Sequence, residues 1–371
     1  MRLAGQAGAG NDERVMPKSK AKTEVSIHKP VTVQDLAEIL GLSRATVGFV
    51  LSGQAEKLRI APATAKRVLD AAAEYHYVPN PHARSLRTRR TGMIGVIVPS
   101  LDLDWAEALL RGMDKVFDDT AYVPFLARHF FNAERNRKEV LSALQRRDEG
   151  LIAFPLAGCE ELYRSFSESG IPLVLLAEEM PGLNDISSVV WDSETAAEAA
   201  VRHLVETGRR RIAFFGMDYP GLGTLHRFKA YCRVLRECAL ELRESWIARP
   251  PVPLPVGEIS RVLKRWFKDR GDAPDAIFAL NDAIALTVME ELEEMGLSIP
   301  GDVALIGIQD LMLSSRRAVG LSTVAEPVEA MGEEAARLTL ELISGKTKAP
   351  ARRVISSAGV IVRRSTVGRE S

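Results

Sequence analysis

Positive charge is concentrated in residues 79–92, PNPHARSLRTRRTG, which hold four arginines, two prolines and one isolated leucine, Leu86. Guanidinium groups bind phosphate oxygens well, whereas an ordinary linker is rich in Gly and Ser. Residues 1–90 hold 15 Lys and Arg against 8 Asp and Glu, although the formal net charge of the 371-residue chain is zero. A basic N-terminal part on an acidic remainder indicates binding to a polyanion, and a solvated basic tail is the alternative with the same composition.

Residue types that support catalysis or metal binding do not occur in the required spacing. The six histidines have no metal-ligand spacing, and Cys159, Cys232 and Cys238 match no zinc or disulfide pattern. The stretch GLGT (221–224) lacks the third glycine of a dinucleotide-binding loop and the lysine of a P-loop, and no G-x-S-x-G motif is present. We therefore expect no enzyme, no cofactor and no metal.

The composition is that of a globular protein, with 46% hydrophobic and 26% charged residues. No apolar run is long enough to span a membrane, and the first 22 residues contain no apolar core of a signal peptide. We expect a cytoplasmic protein whose thiols are reduced, and a disordered tail over residues 1–29.

The elements that would position the basic segment begin with VTVQDLAEILGLSRATVGFVLSG (31–53). Thr32 is placed to cap a helix over 33–40, Gly41 to end it in a left-handed turn, and Ser43 to cap a second helix. Ala37 is small enough for a close helix crossing, and Val47 would be buried against the first helix. This spacing is typical of a helix-turn-helix, and a third helix is expected before Tyr77.

The second helix of such a motif presents its first turn to the major groove of DNA. Here that turn contains Arg44, Ala45 and Thr46, and Phe49 follows one turn later. The alternative is a helical hairpin inside an unrelated all-α domain. The basic charge of the segment that follows favours DNA.

From Met93 onward, short buried strands alternate with helical segments of 10–18 residues. This alternation predicts an α/β fold of βαβ units with doubly wound parallel sheets. The units are too numerous for one compact sheet, so we expect two lobes divided near residue 190. A cleft at the carboxyl ends of their strands would hold a small ligand.

Three stretches, VTVQDLAEILGLSRATVGFVLSG, RVLDAAAEYHYVPNPHARSLRTRRTGMIGVIVP and VALIGIQD, make the chain resemble the lactose-repressor (LacI/GalR) family of bacterial transcription regulators. The resemblance covers residues 31 to 365. It implies a helix-turn-helix domain over 30–78, a hinge helix over 79–91 and a two-lobed effector-binding and dimerisation domain of periplasmic-binding-protein type over 92–365. The lobes would comprise about 92–190 with 323–345, and about 191–320 with 350–365.

The resemblance also implies a role for the basic segment. In this family the hinge folds as a helix in the minor groove, and its leucine, here Leu86, wedges between base steps. The alternative for Leu86 is a packing contact with the first lobe. The implied DNA-binding residues are Thr32, Ser43, Arg44, Ala45, Thr46 and Phe49 in the head, and Asn80, His82, Ala83, Arg84, Leu86 and Arg87 in the hinge.

One departure from the family pattern concerns the recognition helix. The family usually has a polar Ser-Arg pair where this chain has Gly48 and Phe49. Phe49 cannot bond phosphate but can contact a thymine methyl group. This departure leaves the operator sequence open.

For the cleft, the resemblance implies an effector site that contains Trp105, Asp192, Arg227, Asn281, Asp282 and Gln309. Asp282 would alternatively cap its helix, Trp105 would belong to the core, and Asp192 would brace a crossover between lobes. Gln309 stands where sugar-responsive relatives commonly have a carboxylate. We therefore expect Arg227 to be unopposed and to favour an anionic sugar derivative, with a neutral saccharide as the alternative.

Together these features predict a homodimeric repressor in the bacterial cytoplasm, associated with the nucleoid. Its partners would be a pseudo-palindromic double-stranded DNA operator and a small polar effector. The alternative is a sugar receptor of the periplasmic-binding-protein type that does not bind DNA.

Overall fold

Three helices form the N-terminal unit of the computed structural model, which describes residues 31–78, 90–100 and 103–367. They are α1 (Val33–Leu40), α2 (Arg44–Leu51) and α3 (Pro62–Glu74). Thr32 Oγ1 accepts the Asp35 N–H at 3.2 Å, and the Asp35 carboxylate accepts the Thr32 N–H at 2.8 Å. Both predicted caps are confirmed, since Ser43 Oγ accepts the Thr46 N–H at 3.0 Å.

The turn between α1 and α2 also follows the prediction. Gly41 adopts a left-handed conformation with φ +64°, which a residue with a Cβ atom adopts only at a cost. Ala37 and Val47 are buried in a small core that α3 completes with Val68 and Ala71. The predicted packing of the helix-turn-helix is therefore confirmed.

The second unit begins at residue 90 in the described part of the chain and alternates strands with helices. Its elements are β1 (Met93–Val98), α4 (Leu103–Phe117), β2 (Val123–Arg128), α5 (Ala133–Arg146), β3 (Gly150–Ala153), α6 (Glu160–Glu168), β4 (Leu173–Ala177), β5 (Ser187–Trp191), α7 (Ser193–Glu206), β6 (Ile212–Phe215), α8 (Leu222–Glu237), β7 (Ile247–Ala248), α9 (Glu258–Trp266), β8 (Ala276–Ala279), α10 (Asp282–Glu294), β9 (Ala304–Ile306), α11 (Met312–Ser315), β10 (Thr323–Val324), α12 (Val328–Ser344), β11 (Arg352–Ile355), β12 (Val360–Ile361) and α13 (Arg364–Val367).

The first lobe contains a six-stranded sheet in the order β11-β5-β4-β3-β1-β2, and all of its pairings are parallel. Helices α4 and α12 cross closely beside it. A Cβ atom on Gly112 would lie 1.9 Å from the Glu329 carbonyl oxygen, and one on Gly332 would lie 2.2 Å from that of Leu109. The two glycines thus permit the backbones of these helices to touch.

The second lobe contains a parallel sheet in the order β7-β6-β8-β9, beside an antiparallel pair of β10 and β12. The α/β class with parallel sheets is confirmed. One assignment was wrong: the strand over 352–355, predicted for the second lobe, pairs with β5 in the first. Thr323 and Val324, predicted for the first lobe, instead pair with β12, and isolated bridges join Ser322 and Ala325 to the edge of the second sheet. A periodicity argument could not place these strands, because pairing partners lie far apart in sequence.

Within the described residues, no helix is both long enough and apolar enough to cross a lipid bilayer.

Candidate ligand-binding cavity and nucleic-acid interface

A cavity of about 490 Å³ lies between the two lobes. Its wall is built from residues that directly follow strands: Pro99 after β1, Phe154 after β3, Glu178 after β4 and, in the second lobe, Asn281 close behind β8. In open parallel sheets, the carboxyl ends of the strands at a reversal of strand order form the usual ligand crevice. Both sheets reverse their order near this wall, at β1 and at β6.

Four of the six residues predicted for the effector site line this cavity: Trp105, Arg227, Asn281 and Gln309. The side-chain oxygen of Asn281 also caps α10, because it accepts the Ile284 N–H at 2.9 Å. Whether these residues bind an effector stays a prediction.

Asp192 and Asp282 do not line the cavity. Asp192 is the N-cap of α7 and accepts the Thr195 N–H at 3.0 Å. Asp282 is completely buried and accepts three hydrogen bonds, from Ser314 Oγ at 2.7 Å, Thr323 Oγ1 at 2.7 Å and the Leu311 N–H at 3.1 Å. Asp282 therefore binds together three segments of the second unit, and its side chain is not available to a ligand.

Glu178 was missed by the sequence prediction. It lies in the cavity wall, is 6% exposed, and follows a turn in which its N–H donates to the Leu176 carbonyl oxygen at 2.8 Å. Ala177 at the centre of this turn has φ +66°, a strained conformation for a residue with a side chain. The sequence signal was a carboxylate directly after the buried strand PLVLLA, which is where ligand-binding side chains occur.

The Glu178 carboxylate of the first lobe contacts the N-terminus of α8 in the second lobe. It accepts the Gly223 N–H at 2.8 Å and lies 3.4 Å from Thr224 Oγ1. A Cβ atom on Gly221 would lie 2.6 Å from the same carboxylate, so the glycines of GLGT make room for it. The anion-binding end of this helix is thus occupied by a carboxylate of the protein itself.

Glu326 is a second carboxylate in the wall that the prediction missed, and it accepts a hydrogen bond from Trp105 Nε1 at 3.3 Å. Its sequence signal was weak, since it follows a strand of only two residues. With Glu178 and Glu326 in the same wall, Arg227 is not unopposed. The premise for an anionic effector was therefore wrong, even though Gln309 is indeed uncharged.

Burial raises the pKa of both carboxyl groups. The pKa of Glu178 is raised to about 7, mainly because its charged form loses solvation, and Arg227 only partly offsets this effect. Burial likewise raises the pKa of Glu326, again against the attraction of Arg227.

Arg227 is 8% exposed and holds few partners for so buried a guanidinium. Its Nη1 donates to the Leu280 carbonyl oxygen at 3.1 Å, while its Nε has no hydrogen-bond partner within the described residues. The guanidinium carbon lies 5.2 Å from the ring centre of Trp191, which belongs to the same wall. A guanidinium in a cavity wall that has few protein acceptors can donate hydrogen bonds to a ligand oxygen.

Strained backbone also occurs in this wall. Besides Ala177, the lining residues Phe131 (φ +54°) and Gln309 (φ +139°) adopt positive φ angles without being glycine. Such conformations persist where the surrounding structure over-determines them, which is common at binding sites.

In the N-terminal unit, the predicted reading residues lie on the surface of α2. Arg44, Ala45 and Phe49 are exposed, Phe49 by 37%, and Thr46 is half-buried. Thr32 and Ser43 use their side chains as helix caps. The hinge residues Asn80, His82, Ala83, Arg84, Leu86 and Arg87 lie outside the described residues.

Comparisons with known proteins agree with this architecture. The chain is 30% identical over 319 residues to catabolite control protein A of Priestia megaterium, which covers 85% of this chain and 94% of that protein. Residues 201–366 match the family described as periplasmic binding protein-like domain.

Solved structures extend the likeness to three dimensions. A lac repressor dimer bound to operator and the anti-inducer ONPF matches with a TM-score of 0.78 at 22% identity, over 92% of this chain and 100% of that one. A complex of the transcriptional regulator CelR with cellobiose matches with a TM-score of 0.66 at 24% identity, over 90% of this chain and 99% of that one. At these identities the likeness shows a common fold.

Proposed function

This chain belongs to the LacI family of transcriptional regulators, and we propose that it is a homodimeric repressor of a pseudo-palindromic DNA operator, controlled by a small polar ligand in the cavity between its lobes. The observation that carries the proposal is the presence in one chain of a capped helix-turn-helix with an exposed recognition helix and of a two-lobed domain around a cavity. A sugar receptor without DNA binding would need the cavity but not the exposed face of α2.

DNA recognition begins with α2. Arg44 would donate to base edges or phosphates, while Ala45 and Phe49 offer apolar contacts to thymine methyl groups. The basic hinge residues would neutralise phosphates, and Leu86 would wedge between base steps at the centre of the operator.

Ligand control would act on the placement of the lobes. Several contacts cross the cleft. Glu178 contacts the start of α8, and the Tyr219 hydroxyl donates to the Pro155 carbonyl oxygen at 2.7 Å. The Met312 N–H donates to the Asp104 carboxylate at 2.8 Å. A ligand with different affinities for the open and closed arrangements shifts their populations, and DNA affinity changes with them. A regulator that binds chromosomal DNA in this way would act in the cytoplasm.

Footprinting and gel shifts with the full chain test this function. We expect a symmetric footprint over two half-sites near the protein's own gene, bound by the dimer. Leu86→Ala should weaken specific binding by up to a few kcal/mol and abolish bending, while non-specific binding stays unchanged, because the wedge acts only on kinked DNA. If the variant binds and bends the operator like the wild type, Leu86 is a packing residue; if the wild type binds no DNA site, the regulator function fails.

A further inference from the structure

The described residues that line the cavity carry three charged side chains, Glu178, Glu326 and Arg227. Two carboxylates and one guanidinium leave one negative charge without a counter-charge when all three are ionised. An unpaired buried charge destabilises a protein. The charges in this wall therefore indicate which charge a ligand should carry in order to bind here.

The three charged groups surround the cavity without pairing with each other. Within the described residues, neither carboxylate forms an ion pair with Arg227, and both accept hydrogen bonds only from uncharged donors. For Glu178 these donors are the Gly223 N–H and the Thr224 hydroxyl. For Glu326 they are the Trp105 indole and the Gln309 amide. All three residues line one cavity, so a ligand in it can contact a carboxylate and Arg227 together.

Among the described residues, no other cation lines this cavity. Glu326 also borders an adjoining cavity of about 460 Å³, whose cations are Arg111 and Lys115. Both of these pair with Glu329, at 2.8 Å and 2.5 Å. The remaining acid near Glu326, Asp282, adds negative charge and raises the pKa of Glu326 further.

The rest of the wall suits a cation with a carbon skeleton. Trp105, Phe154, Trp191 and Tyr219 contribute aromatic rings, and Asn281 and Gln309 contribute neutral amides. Aromatic faces attract ammonium groups and pack against the apolar faces of sugar rings. The Arg227 guanidinium only donates hydrogen bonds, so a ligand must offer it an acceptor, which an ammonium group cannot supply but a hydroxyl oxygen can.

We propose that the effector is a polyhydroxylated amine, such as an amino sugar, whose protonated amino group binds Glu326 and whose hydroxyl oxygen accepts a hydrogen bond from Arg227. The inference rests on the proposed function only in taking this cavity as the effector site. An acidic ligand would place a further negative charge beside two carboxylates. A neutral sugar would supply no positive charge, so one carboxyl group would have to stay protonated to balance the wall.

Calorimetry with the full chain and matched sugars tests the ligand class. The probes are glucosamine, galactosamine and mannosamine, each compared with its parent hexose, its N-acetyl derivative and the corresponding hexuronic acid. N-acetylation removes the charge and keeps the ring, so at least one amine should bind roughly tenfold or more tightly than all three of its analogues. If every amine binds no better than its neutral or acidic analogues, the proposal is overturned.

Glu326→Gln, which keeps the shape of the side chain, tests the assigned contact. It should weaken binding of the preferred amine by roughly 30-fold or more and leave that of the parent hexose nearly unchanged. The matched control is Glu329→Gln, which removes a carboxylate three residues away whose partners lie on α4. Equal effects of the two variants, or no effect of Glu326→Gln, would contradict the assignment.

A measurement without ligand checks the charge argument independently of the choice of sugar. Above neutral pH, Glu326→Gln should raise the Tm of the ligand-free protein, because it removes a partly buried charge that has no ion-pair partner among the described residues, and Glu329→Gln should not. A lower Tm for Glu326→Gln would mean that the protein balances this charge itself, and the proposal would fall. A neutral or acidic sugar that binds and alters operator affinity would keep the regulator function and reject only the amine.

Discussion

Buried carboxylates in this protein have different roles that depend on their hydrogen-bond donors. Asp282 accepts three hydrogen bonds from protein groups and is completely enclosed, whereas Glu178 and Glu326 face the cavity. A carboxylate with all its donors supplied by the protein holds the fold together. A carboxylate that receives hydrogen bonds from the protein on one side only can also accept hydrogen bonds from a ligand.

Asp282→Ala should lower the free energy of unfolding by roughly 3 kcal/mol or more, because three donors, two of them buried, lose their acceptor. Urea denaturation followed by fluorescence measures the change. Asp282→Asn keeps the shape of the side chain and one acceptor oxygen and should cost less. Unchanged stability together with lost ligand binding would instead make Asp282 a ligand contact.

Glu178 should make stability depend on pH. Its pKa is raised from 4.5 to about 7 in the folded state, so the folded state binds the proton more tightly than the unfolded state. The protonated Glu178 therefore contributes to the free energy of unfolding. This contribution is fully present below pH 4.5 and is lost as the pH rises through about 7, which lowers the free energy of unfolding by on the order of 3 kcal/mol.

Unfolding measured across this pH range checks the prediction with Glu178→Gln, which should remove the decline. The exposed Glu168→Gln is the control and should leave the decline unchanged. A Glu178→Gln protein with the same pH profile as the wild type would show that another group is responsible.

At the scale of the elements, two glycines of the helix-turn-helix have opposite roles. Gly41 ends α1 with φ +64°, while Gly48 lies inside α2, where a Cβ atom would meet no atom within 4 Å. The first position needs glycine for its backbone conformation. At the second position, glycine lowers the stability of the helix through its backbone entropy, and no neighbouring atom among the described residues requires the absence of a side chain.

Gly48→Ala should therefore stabilise the N-terminal unit by about 1 kcal/mol, and Gly41→Ala should destabilise it by a similar amount. The two variants make the same chemical change and so control for each other. Hydrogen exchange of the α1 and α2 amides in the full chain measures both effects. A loss of protection in Gly48→Ala would indicate a contact of this residue that the packing of α2 does not reveal.

At the scale of the whole molecule, the charge asymmetry governs association. The basic residues up to position 90 outnumber the acidic ones by 15 to 8, although the net charge of the chain is zero. A local excess of positive charge, and not the net charge, determines how many phosphate counter-ions are released on binding DNA.

Operator binding should accordingly weaken steeply with salt, by roughly 100-fold or more between about 50 and about 200 mM, if several phosphates are contacted per subunit. Filter binding or fluorescence anisotropy at several salt concentrations gives the slope. Substitution of Arg84 and Arg87 by Ala should make the slope shallower, whereas Arg164→Ala, in α6, should not change it. A wild-type affinity that is independent of salt would argue against phosphate contacts.

The sequence alone determined the helix-turn-helix, its caps and the α/β class of the second unit. These features depend on contacts over a few residues, such as Thr32 with Asp35 and Ser43 with Thr46, or on the period of apolar residues in strands and helices. The positions of Arg227, Trp105, Asn281 and Gln309 at the cavity came from the family resemblance and agree with the structure.

Only the tertiary structure decided the electrostatics of the cavity. Glu178 reaches the start of α8 and Glu326 reaches Trp105 across 45 and 221 positions of sequence, so no local pattern relates them. The turn that aims Glu178 inward depends on a left-handed Ala177, a conformation that local preference disfavours and that surrounding contacts must impose. Long-range contacts also determine the role of Asp282, which directly follows the cap residue of α10. Its three hydrogen-bond donors come from residues 29 to 41 positions away, so no local pattern predicts that they enclose its side chain.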